Sequence, residues 1–379
     1  MSTPIAVKVT RARLLLRDRI LMLGVGSDAR LLAGAVDQAI GGFVVAGADA
    51  RKAVHALHGI YPDMVLIEQP DIHELREATP YKPFPFEDEP NPDVPTLFHV
   101  QRTLQDYLDE QLRNGASLAL LPTGFIAAEE FSTLTAVIET ANKLKREDVV
   151  LHLPVSYKWL SDAAARAKLA KAVRRSRHPV AISMAYKGDP ASQSGVAEGI
   201  HTLLAAAADN VLLWHADLGA LDALANGALG GAVGVTASKR HITEPGETAY
   251  SPSVHDKSPN VLLPSHLRFG KSHDMSIKFF ANGGEPTCDC GTCHGRGLCR
   301  FTAADRSVQE AHQHNLAVLN SLHRRILGSG DRKACWADML AEADAAHAAT
   351  ALEIQVTAFK PAGALKRWIE LNPVLGTTA

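Results

Sequence analysis

No stretch of this 379-residue chain is apolar for long enough to cross a bilayer. The opening MSTPIAVKVTRARLLLRDRI is too charged to hold a secretory apolar core, so the cytoplasm is the expected compartment. Charge of one sign is not in excess either. With 39 Lys and Arg against 41 Asp and Glu, the formal net charge is −2, which argues against a globally basic polyanion binder but not against a local basic face. Cysteines are few, and four of the five lie between positions 288 and 299. Crowding of that kind in a large reduced chain is no disulfide framework and points to a metal site. Aromatics are scarce at 6%, while 46% hydrophobic residues, 28 Gly and 20 Pro are ordinary globular values. Collagen-like, low-complexity and fully disordered readings are thereby excluded, and the length allows a sizeable core.

Eight short apolar runs punctuate the first two thirds: 20–24, 43–46, 64–68, 118–121, 149–153, 180–184, 211–214 and 232–235. Continuous Val, Ile and Leu, without strict alternation, mark strands covered on both faces of a parallel sheet. Helix-period segments follow nearly every run, at 28–40, 50–60, 97–112, 129–144, 158–173 and 195–208. Eight such units predict an α/β fold, a (β/α)8 TIM barrel over 1–270, with an appended zinc-binding region and C-terminal helices over 271–379. The competing reading is an open doubly wound sheet with GVGSD at 24–28 as a phosphate loop. A Pro-rich, acidic insertion, Asp71–Pro95, follows the third run, where a barrel keeps its functional loops; it reads equally as a surface excursion or as a lid. A second irregular stretch, His241–Lys271, follows the eighth run and leads into the appended region.

The segment PTCDCGTCHGRGLC carries the most specific signal. Cys288, Cys290 and Cys293 are spaced so that three thiolates can converge on one ion, and zinc takes four N or S ligands tetrahedrally. His314 is the first choice for the fourth ligand; His312, His294 and Cys299 compete. Four protein ligands leave no position for water, so the expected zinc is structural.

A (β/α)8 barrel followed by these cysteines and a histidine before Asn-Leu resembles the tRNA-guanine transglycosylase superfamily over roughly residues 18 to 350. The resemblance implies zinc ligation by Cys288, Cys290, Cys293 and His314. It also implies exchange of guanine in tRNA or DNA for a 7-deazaguanine base, through a covalent sugar–enzyme intermediate, by a protein that pairs as a homo- or heterodimer. In that family one aspartate attacks the sugar and a second, at the end of the third strand, works as acid or base. Here MVLIEQPD puts Glu68 on the second position, and GGAVGVTASKRH puts Ala232 or Val233 where the nucleophile belongs. The glycines expected on the fifth and sixth strands are replaced by Leu153–Val155 and by the neighbourhood of Ser183–Met184. The chain is therefore read as a remote paralogue, alongside DNA-modifying members and catalytically silent subunits.

Catalytic groups of a barrel project from the C-terminal ends of its strands. The carboxylates there are Asp49, Glu68, Asp71, Asp189 and Asp217, and the expected pair is Glu68 with Asp217. His215 is the expected general acid for the departing base. The ordinary alternatives are a rim salt bridge for Glu68, a helix cap for Asp217 and a core imidazole for His215. Tyr157 and Tyr186 end strands and are candidates for stacking on a base; rim packing is the alternative. Lys239 and Arg240, with His241, Arg268, Lys271, His273, Lys278, Arg296, Arg300, Arg324 and Arg325, supply a basic bias for phosphate contact. Three functions follow: a base-exchanging transglycosylase, a non-catalytic subunit that binds nucleic acid or a catalytic partner, or an unrelated barrel hydrolase or lyase using Glu68, His215 and Asp217.

Overall fold

Each of the eight apolar runs is a strand of one parallel sheet: β1 (Arg19–Val25), β2 (Phe43–Ala46), β3 (Leu66–Gln69), β4 (Ala119–Leu120), β5 (Val149–Ser156), β6 (Val180–Ala185), β7 (Val211–Ala216) and β8 (Gly230–Gly234). The computed structural model describes residues 9–86, 102–247 and 256–374. The strand order is β3-β2-β1-β8-β7-β6-β5-β4, so the first strand pairs with the eighth. A parallel bridge between Ile67 and Leu118 brings β3 to β4 and nearly closes the sheet into a barrel. That order excludes the open doubly wound alternative. Residues 87–95 of the Pro-rich insertion and 248–255 of the second irregular stretch lie outside the described residues. Ahead of them, Phe84 and Phe86 are buried in the core, so that part of the insertion packs and is no surface excursion.

Side chains alternate across a strand, so each run sends every second residue into the barrel. Leu21, Leu23, Val44, Val65, Ile67, Leu118, Leu120, Val150, Ala181, Leu212 and Ala232 form the interior cluster. The intervening residues, among them Met22, Val45, Leu66, Leu151 and Leu213, join the layer under the helices. The bottom is plugged by the helix Arg11–Leu16, whose Ala12 and Leu16 join the same interior cluster as Leu229. At the top, Gly234 lets the turn Ala237–Arg240 fold back over β8: a Cβ there would lie 2.3 Å from the Lys239 carbonyl carbon. That close approach delivers Lys239 and Arg240 to the barrel mouth.

Beyond the barrel, a hairpin of β9 (Asn260–Leu263) and β10 (Arg268–Lys271) precedes the helices Asp305–Leu327, Arg332–Glu353 and Gly363–Leu371. Asp222, 1% exposed, ties the last two of these helices to the barrel. It accepts from Trp336 Nε1 at 2.9 Å and Asn372 Nδ2 at 3.1 Å, and its Oδ2 lies 2.8 Å from His201 Nε2. Asp222→Ala is expected to cost about 3–5 kcal/mol, because it leaves several buried donors unmet. Urea unfolding reads the effect, and a loss below about 1 kcal/mol would show that the network is dispensable. No helix among the described residues is long and apolar enough to cross a membrane.

Candidate metal cluster and barrel-mouth site

The cysteine segment reverses direction in a short hairpin, Thr287–Cys288 against Arg296–Gly297. Cys293 N donates to Cys290 O, Gly295 N donates to Cys288 O, and His294 and Gly295 take left-handed φ of 51° and 78°. This winding turns three sulfurs to one side. On the helix Asp305–Leu327, His312 and His314 stand two residues apart and so face opposite ways. His314 is completely buried against the sulfurs, with Nδ1 3.2 Å from Cys293 Sγ and 3.5 Å from Cys290 Sγ. His312 lines a cleft instead, His294 is exposed, and Cys299 N bonds Glu285. The competition for the fourth position therefore resolves to His314. The donor atoms of Cys288, Cys290, Cys293 and His314 all lie within 4.8 Å of one another, and the four could hold a metal ion.

A second layer of contacts orients them. His314 Nε2 lies 2.8 Å from the Leu262 carbonyl, which only accepts, so Nε2 carries the proton and Nδ1 presents its lone pair to the sulfurs. Asn315 clamps the same strand, accepting from Leu262 N and donating to Asn260 O, each at 2.8 Å. Arg300 Nη2 lies 3.4 Å from Cys293 Sγ and 2.7 Å from Glu310. Burial pushes the Cys288 thiol up to about 12, so an ion must displace a proton there.

At the C-terminal end of the barrel the interior turns polar. Gln69, His152, Ser183 and Trp214 point inward, and the turn after β3 inserts His73 among them. His73, His152 and His215 are buried to 0%, 1% and 3% exposure, with ring centroids 5.0 to 6.3 Å apart. Burial, only partly offset by the charge of Asp71, holds His73 at about 4, and burial above all keeps His152 and His215 well below the usual imidazole range. The protons of this network follow from groups with one role only. Trp214 Nε1 donates to Gln69 Oε1 at 2.8 Å, which leaves Gln69 Nε2 to donate to Asp71 at 2.8 Å and to His215 Nε2 at 2.7 Å. His215 Nδ1 then donates to the Lys239 carbonyl at 3.0 Å. With Nε2 accepting from Gln69 and its one ring proton held by the Lys239 carbonyl, at a left-handed φ of 48°, His215 positions the end of β7 rather than facing a substrate. That corrects its expected role as general acid.

Glu68 is the second correction. It shares its side of β3 with Leu66, outside the barrel, and lies 3.8 Å from Arg51, which also binds Glu110 on the covering helix. Gln69, one residue on, takes the inward position. Glu68 and Asp217 therefore do not face one pocket. Asp217 acts on Asp189 instead: burial, and then the charge of Asp217, pushes Asp189 up to about 7. Asp217 lies 3.6 Å from Arg240 Nε and 3.8 Å from His241 Nε2.

Arg240 and His241 line a cleft of about 780 Å³ together with Tyr186, Lys187, Lys257, Lys271, Lys278 and His312; Asp274 is the acidic residue among its lining. Tyr186 thus faces open space, and Tyr157 packs edge-on against it with centroids 5.1 Å apart. Arg240 is itself buried, over the Phe269 ring at 3.5 Å. Lys239 points elsewhere, to Asp71 and Glu74. Many of the expected phosphate contacts, inside the cleft and outside it, are engaged within the chain: Lys278 with Asp274, Lys271 with the Asp256 carbonyl, Arg268 with the Lys360 carbonyl, Arg296 and Arg300 with Glu310, Arg324 with Asp37, and Arg325 with Glu342. Lys187, which the sequence reading passed over, belongs to the cleft, as does Lys257. No family model matches the chain, and no curated protein matches it.

Proposed function

We propose that the chain is a transglycosylase-like enzyme that exchanges guanine for a 7-deazaguanine base in tRNA or DNA, with Asp217 as nucleophile and Asp189 as acid. The observation that supports this reading is the placement of Asp217, 3.6 Å from the cleft-lining Arg240, and of Asp189 on the loops that follow the neighbouring strands β7 and β6, at the end of the barrel that carries the lysine-lined cleft. Two acidic side chains after neighbouring strands, one of them raised by burial and by the charge of the other, are the equipment of glycosidic-bond chemistry. Asp217 attacks the sugar carbon bearing the base, the proton of Asp189 passes to the departing purine, and the incoming base then displaces Asp217 with return of that proton. Tyr186 offers a stacking face, and the lysines accept phosphates.

The ion of the cysteine cluster is zinc in this reading, with a structural role. Bonds of about 2.3 Å to sulfur and 2.0–2.1 Å to nitrogen place tetrahedral S and N ligands about 3.5 Å apart. The S–N separations of 3.5 and 3.2 Å match. The ion would hold the hairpin on the helix Asp305–Leu327 and so frame the cleft.

A second reading, a non-catalytic subunit that binds nucleic acid, is favoured by Ala232. It stands where the family keeps its eighth-strand aspartate and packs fully buried inside the barrel. Incubation with labelled 7-deazaguanine and either tRNA or DNA separates the two. Label in one polymer supports exchange, whereas tight binding without label supports the subunit. Under both readings the double variant Lys187→Ala/Lys257→Ala is expected to weaken binding uniformly across sequences and to lower the salt slope by about 2. An unchanged slope would remove the cleft from the interface.

A further inference from the structure

His73 is completely buried, and neither of its ring nitrogens has a hydrogen-bond partner among the described residues. A buried imidazole left unmet calls for an explanation, because both of its nitrogens have lost water. Two carboxylates lie beside it: the donor atoms of Asp71, His73 and Glu74 are all within 4.8 Å of one another. That triangle already draws positive charge, since Lys239 Nζ sits 3.2 Å from Asp71 Oδ2 and 3.1 Å from Glu74 Oε1. The ammonium serves the two carboxylates and leaves the imidazole lone pair without a partner. A metal ion would serve all three at once.

We infer that Asp71, His73 and Glu74 form a second divalent-cation site, separate from the cysteine cluster, in which the ion displaces Lys239. One imidazole nitrogen with two carboxylate oxygens suits a first-row divalent ion such as Mn²⁺, Fe²⁺ or Co²⁺, whereas Mg²⁺ and Ca²⁺ favour all-oxygen sites. Three protein ligands leave coordination positions open, unlike the closed Cys3His set. The site lies on the turn after β3, at the end of the barrel where chemistry is housed. It is also tied to the neighbouring relay, because Asp71 accepts from Gln69 and the Lys239 carbonyl holds His215. Exchange of ammonium for metal would therefore be felt at the end of β7. The inference does not depend on base exchange.

Mn²⁺ is the probe, because a hard ion avoids the thiolates. Free Mn²⁺ is measured by paramagnetic resonance during titration of the full chain. One saturable equivalent is expected. Lys239→Met, which removes the competing cation, is expected to tighten it at least about tenfold, and Glu74→Gln to weaken it at least about tenfold. Glu74 is exposed, so that variant does not threaten folding. No saturable uptake by either the wild type or Lys239→Met overturns the site, as does uptake that Glu74→Gln and His73→Gln leave unchanged.

Discussion

Cys290→Ser is expected to empty the cysteine cluster and to unfold the segment around it while the barrel survives. The strands of that hairpin, Thr287–Cys288 and Arg296–Gly297, are two residues each, far too short to persist alone. An ion on four protein ligands contributes about 10–16 kcal/mol in small zinc-binding peptides, more than the hairpin's own contacts can replace. Metal content should fall from about one equivalent to near zero. Amide exchange over residues 286–300 should lose its protection, and so should the contact of Leu262 with His314 and Asn315. The strands of the barrel, held by their own interior cluster, should stay protected. His314→Ala should act in the same way by removing the nitrogen ligand. Wild-type protein that carries no metal yet protects the hairpin would refute the metal-held fold.

Asp217→Asn is expected to lower the rate of base exchange by at least about 10⁴-fold, because an amide cannot form the covalent intermediate. Asp189→Asn removes the proton donor instead and should cost about 10²–10⁴-fold. The two separate further by pH. Asp189 must be protonated to act, and it loses its proton near 7, so exchange should fall about tenfold per unit as pH rises above that value. The Asp189→Asn variant should lack this limb. Stability carries the same sign. The carboxyl titrates near 3.9 in the unfolded chain and near 7 in the folded one. Its contribution is thus fully present below about pH 4 and lost as pH rises to about 7. Urea midpoints of the wild type and of Asp189→Asn should diverge over that window, in favour of the variant at the higher pH. Full exchange activity in both variants would remove this pair from the chemistry and leave the nucleic-acid-binding subunit as the better reading.

The barrel was legible because its signal is local. A strand covered on both faces is mostly apolar, and all eight runs were visible as short segments rich in Val, Ile, Leu and other apolar residues. The cysteine cluster was legible for the same reason, since three of the four residues that could hold an ion sit within six consecutive positions. The fourth, His314, was the first choice but stood among four candidates close by in sequence. The half-turn that separates His312 from His314 on a helix, together with the Leu262 carbonyl behind His314, is what selects between them.

The barrel mouth was misread where a single residue of strand parity mattered. Glu68 and Gln69 are neighbours in sequence, and nothing in MVLIEQPD says which enters the barrel. The register of β3 against β2 and β4 decides it, and sends the carboxylate outward to Arg51. Asp189 and Asp217 follow the parallel neighbours β6 and β7 although 28 positions apart, and His73 reaches His152 across the barrel. Strand composition and cysteine spacing depend on residues a few positions apart, which a sequence displays directly. The sharing of a pocket, the protonation of a buried carboxyl and the direction in which a strand-end side chain points depend on groups that only closure of the sheet brings together.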